Sequence, residues 1–396
     1  MKVHRFTDGD MQIGLPVKYW ADDIDDLAWG QARQLATLPF AFHHIALMAD
    51  CHSGYGMPIG GVLAADNVIV PNAVGVDIGC GMRAVKTSLL WEDVKDYDWK
   101  KILNSIRQLI PVGKGQHRIS PVEKEFLPRL HHNHNIPVVR DEFESARHQF
   151  GTLGSGNHFI EIQKGNDGHV WVMLHSGSRN VGYKVAQFYN QLAQNLNDAW
   201  YSSVPKESQL AFLPLSSEAA YDYKNEMEWC IEFAEASRKC MMSIIRALFM
   251  IKWPDISFDD DIDVKHNYAR MEHHFGRNVM VHRKGAIRVQ AGEVGIIPGS
   301  QGTKSYIVHG LGNPDSFMSA SHGAGRRMSR SKAKQTLDLE AEKSQMDAKG
   351  ILHTVTGTSN LDEAPGAYKD IDEVMLNQQD LVKIEIELQP IAVIKG

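Results

Sequence analysis

The chain has 396 residues, 43% hydrophobic and 23% charged, the balance of an ordinary globular protein. Its formal net charge of −6 excludes the global basic field that coats nucleic acid indiscriminately, although a local basic patch suffices for a small RNA footprint. The four cysteines show no framework spacing, the N-terminal MKVHRFTDGD has no apolar core, and no apolar run approaches the ~20 residues that span a bilayer. The expectation is a cytoplasmic protein in a reducing compartment, with no membrane contact.

The first strand-like run is NVIV (67–70), and it leads into PNAVGVDIGCGMR (71–83), where Cys80 lies between two glycines, three residues after Asp77. Residues 96–110 place Trp99, Ile102, Leu103, Ile106 and Ile110 at helical spacing, with an aspartate start and Pro111 just beyond. A second strand-like run is HVWVML (169–174). The longest helix is expected over 218–252, with Met227, Ile231, Ala234, Met241, Ile245, Leu248 and Phe249 along one side and Pro254 as the stop. Cys230 and Cys240 inside it are read as core packing.

Asp259, Asp260, Asp261 and Asp263 form an acidic run, read as a solvated loop. RVQAG (288–292) and SYIVHG (305–310) are strand-like, and a helix is expected from near Ser329 to Gly350. LVKIEIEL (381–388) alternates Val382, Ile384, Ile386 and Leu388 with charged residues, as a half-buried strand does. Strands that are grouped and interrupted by a long helix favour an α+β arrangement over a doubly wound sheet. No repeat or Pro/Ser-rich linker marks a domain boundary.

The chemistry sits in glycine-rich polar blocks: ADCHSGYGMPIGG (49–61), VDIGCGMR (76–83), TLGSGNHFIE (152–161), MLHSGSRN (173–180), VHRKGA (281–286), IPGSQGTKSYIV (297–308) and SHGAGRRMSRSKAK (321–334). Glycine lets a ligand approach the main chain closely. Asp77, Cys80, His158, His175 and His282 offer carboxylate, thiolate and imidazole donors, a set that suits a divalent transition ion better than Mg²⁺ or Ca²⁺. No CxxC, HxH or HExxH spacing is present, so only convergence in space makes these residues a site. SQGTKS resembles a phosphate cradle but lacks the adjacent Gly-Lys pair of a P-loop. Gly79, Gly81 and Ala84 fit G-x-G-x-x-A, yet VKTSLL follows where a helix should open, so a dinucleotide fold is excluded. From His322 to Lys334 the chain carries Arg326, Arg327, Arg330, Lys332 and Lys334 with no acid, either a solvated helix face or a positive wall for RNA.

In this order, DIGCGM, GSGNHFIE, HSGSRN, HRKGA, PGSQGTKS and HGAGRRMSR resemble the RtcB family, the GTP- and Mn²⁺-dependent RNA-splicing ligases, and the likeness runs from HSGYGMPIGG to the terminal VIKG. The resemblance implies one catalytic domain over residues 1–396, α+β, with packed sheets and flanking helices around a central cleft. It implies one Mn²⁺ on Asp77, Cys80 and His158, a second on Cys80, His175 and His282, and His322 as the nucleophile that accepts GMP from GTP. Guanylate contacts carried over by the same likeness are Asn157, His158, Phe159, Glu161, Ser300, Ser305, Gly323, Ala324, Gly325, Tyr368 and Lys395. The implied substrates are GTP and RNA with a 3′-phosphate or 2′,3′-cyclic phosphate end and a 5′-hydroxyl end. An activating protein partner is not identified by these residues. The competing readings are a metal-dependent RNA phosphodiesterase or phosphatase that does not ligate, and a non-catalytic RNA-binding protein. Ala49-Asp50-Cys51-His52 departs from the Pro-Asp-Val-His usual in the family, so Cys51 is not expected to be a ligand.

Overall fold

Residues 1–118 and 136–396 are described by a computed structural model. Two larger sheets carry the fold. The first has, in spatial order, strands Lys2–Asp8, Met11–Tyr19, Ala41–His52, Ile59–Ala65, Arg277–Lys284 and Asn267–His274. The second runs Phe258–Lys265, Gly81–Leu90, His169–Ser176, Phe159–Gly165, Val382–Lys395, Ser305–Gly310 and Val294–Ile297. Neighbours are antiparallel except Met11–Tyr19 with Ala41–His52, which are parallel and joined through helix Asp26–Ala36. One apolar cluster joins the sheets, with Ala46, Met48, Val62 and Val281 of the first packed with Ile297, Tyr306, Val308 and Val382 of the second. The architecture is α+β with packed sheets, as expected.

Helix Glu218–Lys252 starts where the Ser217 side chain accepts the Ala220 amide, a standard N-cap. Its apolar stripe buries Met227, Ile231, Ala234, Met241, Ile245 and Phe249. The C-terminal half packs on Val85 and Leu174 of the second sheet, while Cys230 and Ile231 pack on Ile78, two residues before Cys80. Each fully buried Met, Ile or Phe of the stripe contributes about 1.5–3 kcal/mol, so the Asp77–Cys80 turn rests on a rigid floor. Gly79 takes φ 71°, and a Cβ there would come within 2.9 Å of the Ile231 Cα, so the turn closes on the helix only with glycine.

Four readings change. Phe258–Lys265, which holds the acidic run, is a strand and not a solvated loop. Asp261 pairs with Arg83 and Arg246, and Asp263 with the fully buried Arg238. Arg238 also donates to the carbonyls of Gly79 and Ser176, bracing two loops of the candidate site from beneath. The helix expected from Ser329 to Gly350 is two, Arg330–Thr336 and Leu339–Ala348, because the Asp338 side chain accepts the Ala341 amide and starts a new one. RVQAG is strand only through Arg288, and the 381–388 strand continues to Lys395. Helix Arg179–Ala199 has no counterpart among the expected elements. No described helix is long and apolar enough to cross a membrane.

Beside the site, fully buried Arg283 forks onto Glu272 at 2.5 and 3.0 Å, and His274 Nε2 lies 3.0 Å from the same carboxylate. Burial works to raise the Glu272 pKa, but Arg283 and His274 outweigh it and hold the group at about 2. The folded value is depressed, so the stabilisation is present above the ordinary carboxylate range and lost as pH falls toward 2. Glu272→Gln is expected to cost about 3 kcal/mol at pH 7. Thermal melts should show that deficit shrinking between about pH 4.5 and 2 as the native carboxylate protonates. An unchanged deficit across that window would refute the assignment.

Candidate active site

Asp77 and Cys80 lie in the turn that feeds strand Gly81–Leu90, where the Cys80 amide donates to the Asp77 carbonyl. His175 is on the neighbouring strand, paired with Met82, and His158 immediately precedes strand Phe159–Gly165. Register therefore brings three distant blocks to one point. Cys80 Sγ is 3.1 Å from His175 Nε2 and 3.5 Å from His158 Nε2, and His158 Nε2 is 3.0 Å from Asp77 Oδ2. A further histidine, His266, has its Nε2 3.4 Å from that of His175. Asp77, Cys80 and His158 form one group whose donor atoms all lie within 4.8 Å of one another, and Cys80, His175 and His266 form another. Cys80 belongs to both.

The surroundings fit a soft or borderline divalent ion. His158 Nδ1 lies 2.9 Å from the Leu153 carbonyl and His175 Nδ1 3.2 Å from that of Asn157. With Nδ1–H donated outward, each Nε2 keeps its lone pair for the cluster. Burial, then the neighbouring histidines, hold His175 well below the usual imidazole range. Burial acts the same way on His266, so both rings are neutral, the form that ligates. Burial and Asp77 push the Cys80 thiol up, an effect that a cation at the cluster reverses.

His282 is not part of this cluster. Its Nε2 accepts the Val70 amide at 2.9 Å and its Nδ1 meets the Leu63 carbonyl at 3.1 Å, so both nitrogens are committed to backbone. It is a fully buried tie from its strand to Leu63 and to the start of helix Pro71–Val74, and His266 stands in the cluster where His282 was expected. The His266 amide donates to the Cys80 carbonyl, and Asn267 bridges the Asp77 carbonyl and the Gly285 amide. The sequence signal was KHNYA, a polar His-Asn pair between two strand runs, without the glycines that mark the other blocks. Cys51 is buried in the core, where desolvation pushes its thiol up, and it faces none of these donors.

His322 adjoins the cluster, with its ring centroid 4.7 Å from that of His266. Its Nδ1 lies 2.7 Å from Asp50 Oδ2, which also accepts the His322 amide at 3.2 Å. Asp50 is fully buried, so a fixed carboxylate meets Nδ1 and leaves the Nε2 lone pair uncommitted. Gly325, at φ 72°, lets the loop lie against the Asp50 carbonyl, which a Cβ would approach to 2.2 Å. Asp50 was not singled out from sequence, because nothing local ties it to a histidine 272 positions on.

Asn157, Phe159, Glu161, Ser305 and Lys395 gather around the C-terminal strand. Pairing of Lys395 with Phe159 and of Val393 with Glu161 explains why a penultimate lysine is fixed. Lys395 Nζ is 5.3 Å from the Phe159 ring centroid, 3.3 Å from Glu363 Oε2 and 3.4 Å from the Asn157 carbonyl. Glu161 is buried, which pushes its pKa up to about 7 against the opposing pull of Lys395. Gln163 donates to Glu161 at 2.7 Å and to Ser305 at 3.2 Å. Tyr368 hydrogen-bonds Glu363 and packs under Arg326. Ser300 hydrogen-bonds Thr303 within the 298–305 loop, and Gly323 faces Pro298 of that loop while Ala324 packs into the core. Glu363 was also missed, and it gathers Arg326, Arg330, Tyr368 and Lys395 on one carboxylate. Part of the basic segment is thus ion-paired, while Arg327 and Lys332 are exposed.

The class defined by this fold and site is an α+β protein with a shared-thiol metal-type cluster beside a carboxylate-held histidine. A profile of the family described as "tRNA-splicing ligase RtcB" matches residues 31–146 and 127–396. The "RNA-splicing ligase RtcB" of Escherichia coli (strain K12) is 38% identical over 96% of this chain and 97% of its own length. The "tRNA-splicing ligase RtcB" proteins of Pyrobaculum aerophilum and Nanoarchaeum equitans are 32% and 31% identical, over 96% and 97% of this chain and 95% and 96% of their own. The chain belongs to the RtcB family.

Proposed function

We propose that this chain, an RNA ligase of the RtcB family, joins RNA 3′-phosphate or 2′,3′-cyclic phosphate ends to 5′-hydroxyl ends at the expense of GTP, in tRNA splicing or RNA repair. The observation that carries the reading is the Asp50–His322 pair beside the Cys80 cluster. Asp77, Cys80 and His158 would hold one divalent ion and Cys80, His175 and His266 a second, with manganese the ion suggested by the family likeness. Such ions supply positive charge that neutralises phosphate oxygens.

The residues divide the remaining work. His322 Nε2 attacks the α-phosphorus of GTP; the N–P bond forms as the bond to pyrophosphate breaks, and pyrophosphate leaves. Asp50 keeps the proton on Nδ1 and stabilises the positive charge that develops on the ring. An oxygen of the RNA 3′-phosphate then takes GMP from His322, giving an RNA-3′-pp-G end. The 5′-hydroxyl attacks the 3′-phosphorus of that end, the new phosphodiester forms and GMP departs. A cyclic phosphate is first hydrolysed to the 3′-phosphate. Glu161 suits guanine, whose N1–H and N2–H donors adenine lacks, and Asn157, Phe159, Tyr368 and Lys395 would contact the rest of the nucleotide.

Incubation with α-labelled GTP and Mn²⁺ tests the reading. Wild type is expected to take up acid-labile covalent label and His322→Ala none. A metal-loaded wild type that stays unlabelled while hydrolysing RNA ends would instead make the chain a phosphodiesterase.

A further inference from the structure

Helix Arg179–Ala199 begins three residues after Ser176 and leads away from the cluster. Its outward face is mostly aromatic and amide, with Lys184 and, near the far end, Asp198 as its exposed charges. Tyr183, Gln187, Phe188 and Gln191 lie on it, and Tyr55 faces them across a surface groove of about 600 Å³. Tyr55, Tyr183 and Phe188 are 56%, 41% and 45% exposed, which is costly for aromatic side chains with nothing to cover them. Gln187 donates to the Tyr183 hydroxyl at 2.7 Å, which holds that ring in place.

The groove adjoins the candidate active site through two of its walls. Val76, on its wall, is bonded to Asp77, and the Tyr55 carbonyl accepts from Lys284, the residue before the Gly285 that faces His322. No carboxylate is among the residues lining it, and Lys184 contributes a cation. Exposed aromatic faces beside amide side chains are the chemistry that holds unpaired bases, by stacking and by hydrogen bonds to base edges. In a duplex the base faces are already stacked on their neighbours and are not offered to such a surface. From Arg179 to Gln191 the helix advances roughly 18 Å, so the groove extends the site along a strand rather than enlarging a nucleotide pocket.

We propose that this groove is a stacking site for unpaired RNA bases flanking the break, with Tyr183 and Phe188 as its principal platforms. The inference rests on RNA being the substrate and not on guanylylation of His322, and binding is measured without GTP, so the two stand or fall separately.

The probe is a fluorescent single-stranded RNA of about 12 nucleotides, within the usual range of single-strand sites, carrying a 3′-phosphate. Fluorescence anisotropy is expected to show Tyr183→Ala with Phe188→Ala raising Kd at least about tenfold, and the aromatic exchange Tyr183→Phe with Phe188→Tyr restoring it. The dependence of log Kd on log salt should keep its slope, because phosphate contacts are untouched. An abasic strand should bind wild type as weakly as the intact strand binds the double variant. Both positions are exposed, so the melting temperature should hold; if it falls, Tyr55→Ala alone serves as the test. A Kd within about twofold of wild type, or loss through a reduced salt slope, overturns the proposal.

Discussion

Cys80→Ala is expected to bind neither ion, whereas His282→Ala keeps both. The argument is one of shared atoms. Cys80 Sγ is the single donor common to the Asp77–Cys80–His158 group and the Cys80–His175–His266 group, so its removal leaves each with two ligands. Structural and catalytic sites for such ions generally need three or four protein ligands. His266→Ala should lose one ion and retain the other, since Asp77, Cys80 and His158 remain intact. His282→Ala removes the acceptor of the Val70 amide and should cost about 1–3 kcal/mol of stability without touching metal. Metal per chain, measured by elemental analysis after dialysis against trace Mn²⁺, separates the four proteins. Full occupancy in Cys80→Ala, or loss of an ion in His282→Ala with the fold intact, would refute the ligand set.

The His266–His282 exchange shows where sequence reading reaches its limit. Asp77, Cys80, His158 and His175 stand out because each sits where glycine or serine strips bulk from the backbone. HRKGA has the same look, so His282 was grouped with them. Its two backbone partners, Leu63 in a strand and Val70 just after another, lie more than 200 positions away, and that pairing is invisible in one dimension. His266 has the opposite problem, lying between two strands whose pattern gives no reason to single it out.

The same distinction runs through the fold. The 218–252 helix was legible because its period is local and its stripe continuous. The 259–263 run was misread because Arg83, Arg238 and Arg246, the partners that make the strand tolerable, come from other elements. Helix Arg179–Ala199 escaped notice because amides and aromatics face outward where charged residues usually mark the solvent side. An unusual outer face hid the element, and it now marks the RNA groove.

Asp50→Asn is expected to lower the rate of His322 guanylylation on the order of 10²–10³-fold while leaving GTP affinity near wild type. Both His322 contacts fall on one oxygen, Oδ2, which takes the backbone amide and Nδ1 together. An asparagine oxygen must stay there, because its NH₂ cannot accept the His322 amide. The NH₂ then occupies the place of Oδ1, which is buried without a donor. Tautomer and ring orientation are thereby preserved, and what is lost is the negative charge facing an imidazole that turns positive as the N–P bond forms. Asp50→Ala removes orientation as well and should be slower still. Single-turnover label incorporation, read beside equilibrium GTP binding, separates the two effects. An asparagine variant within about threefold of wild type would mean that the carboxylate only positions the ring, since charge stabilisation of that transition state is worth more than this. Equal defects in Asp50→Asn and Asp50→Ala would mean that charge is all it supplies.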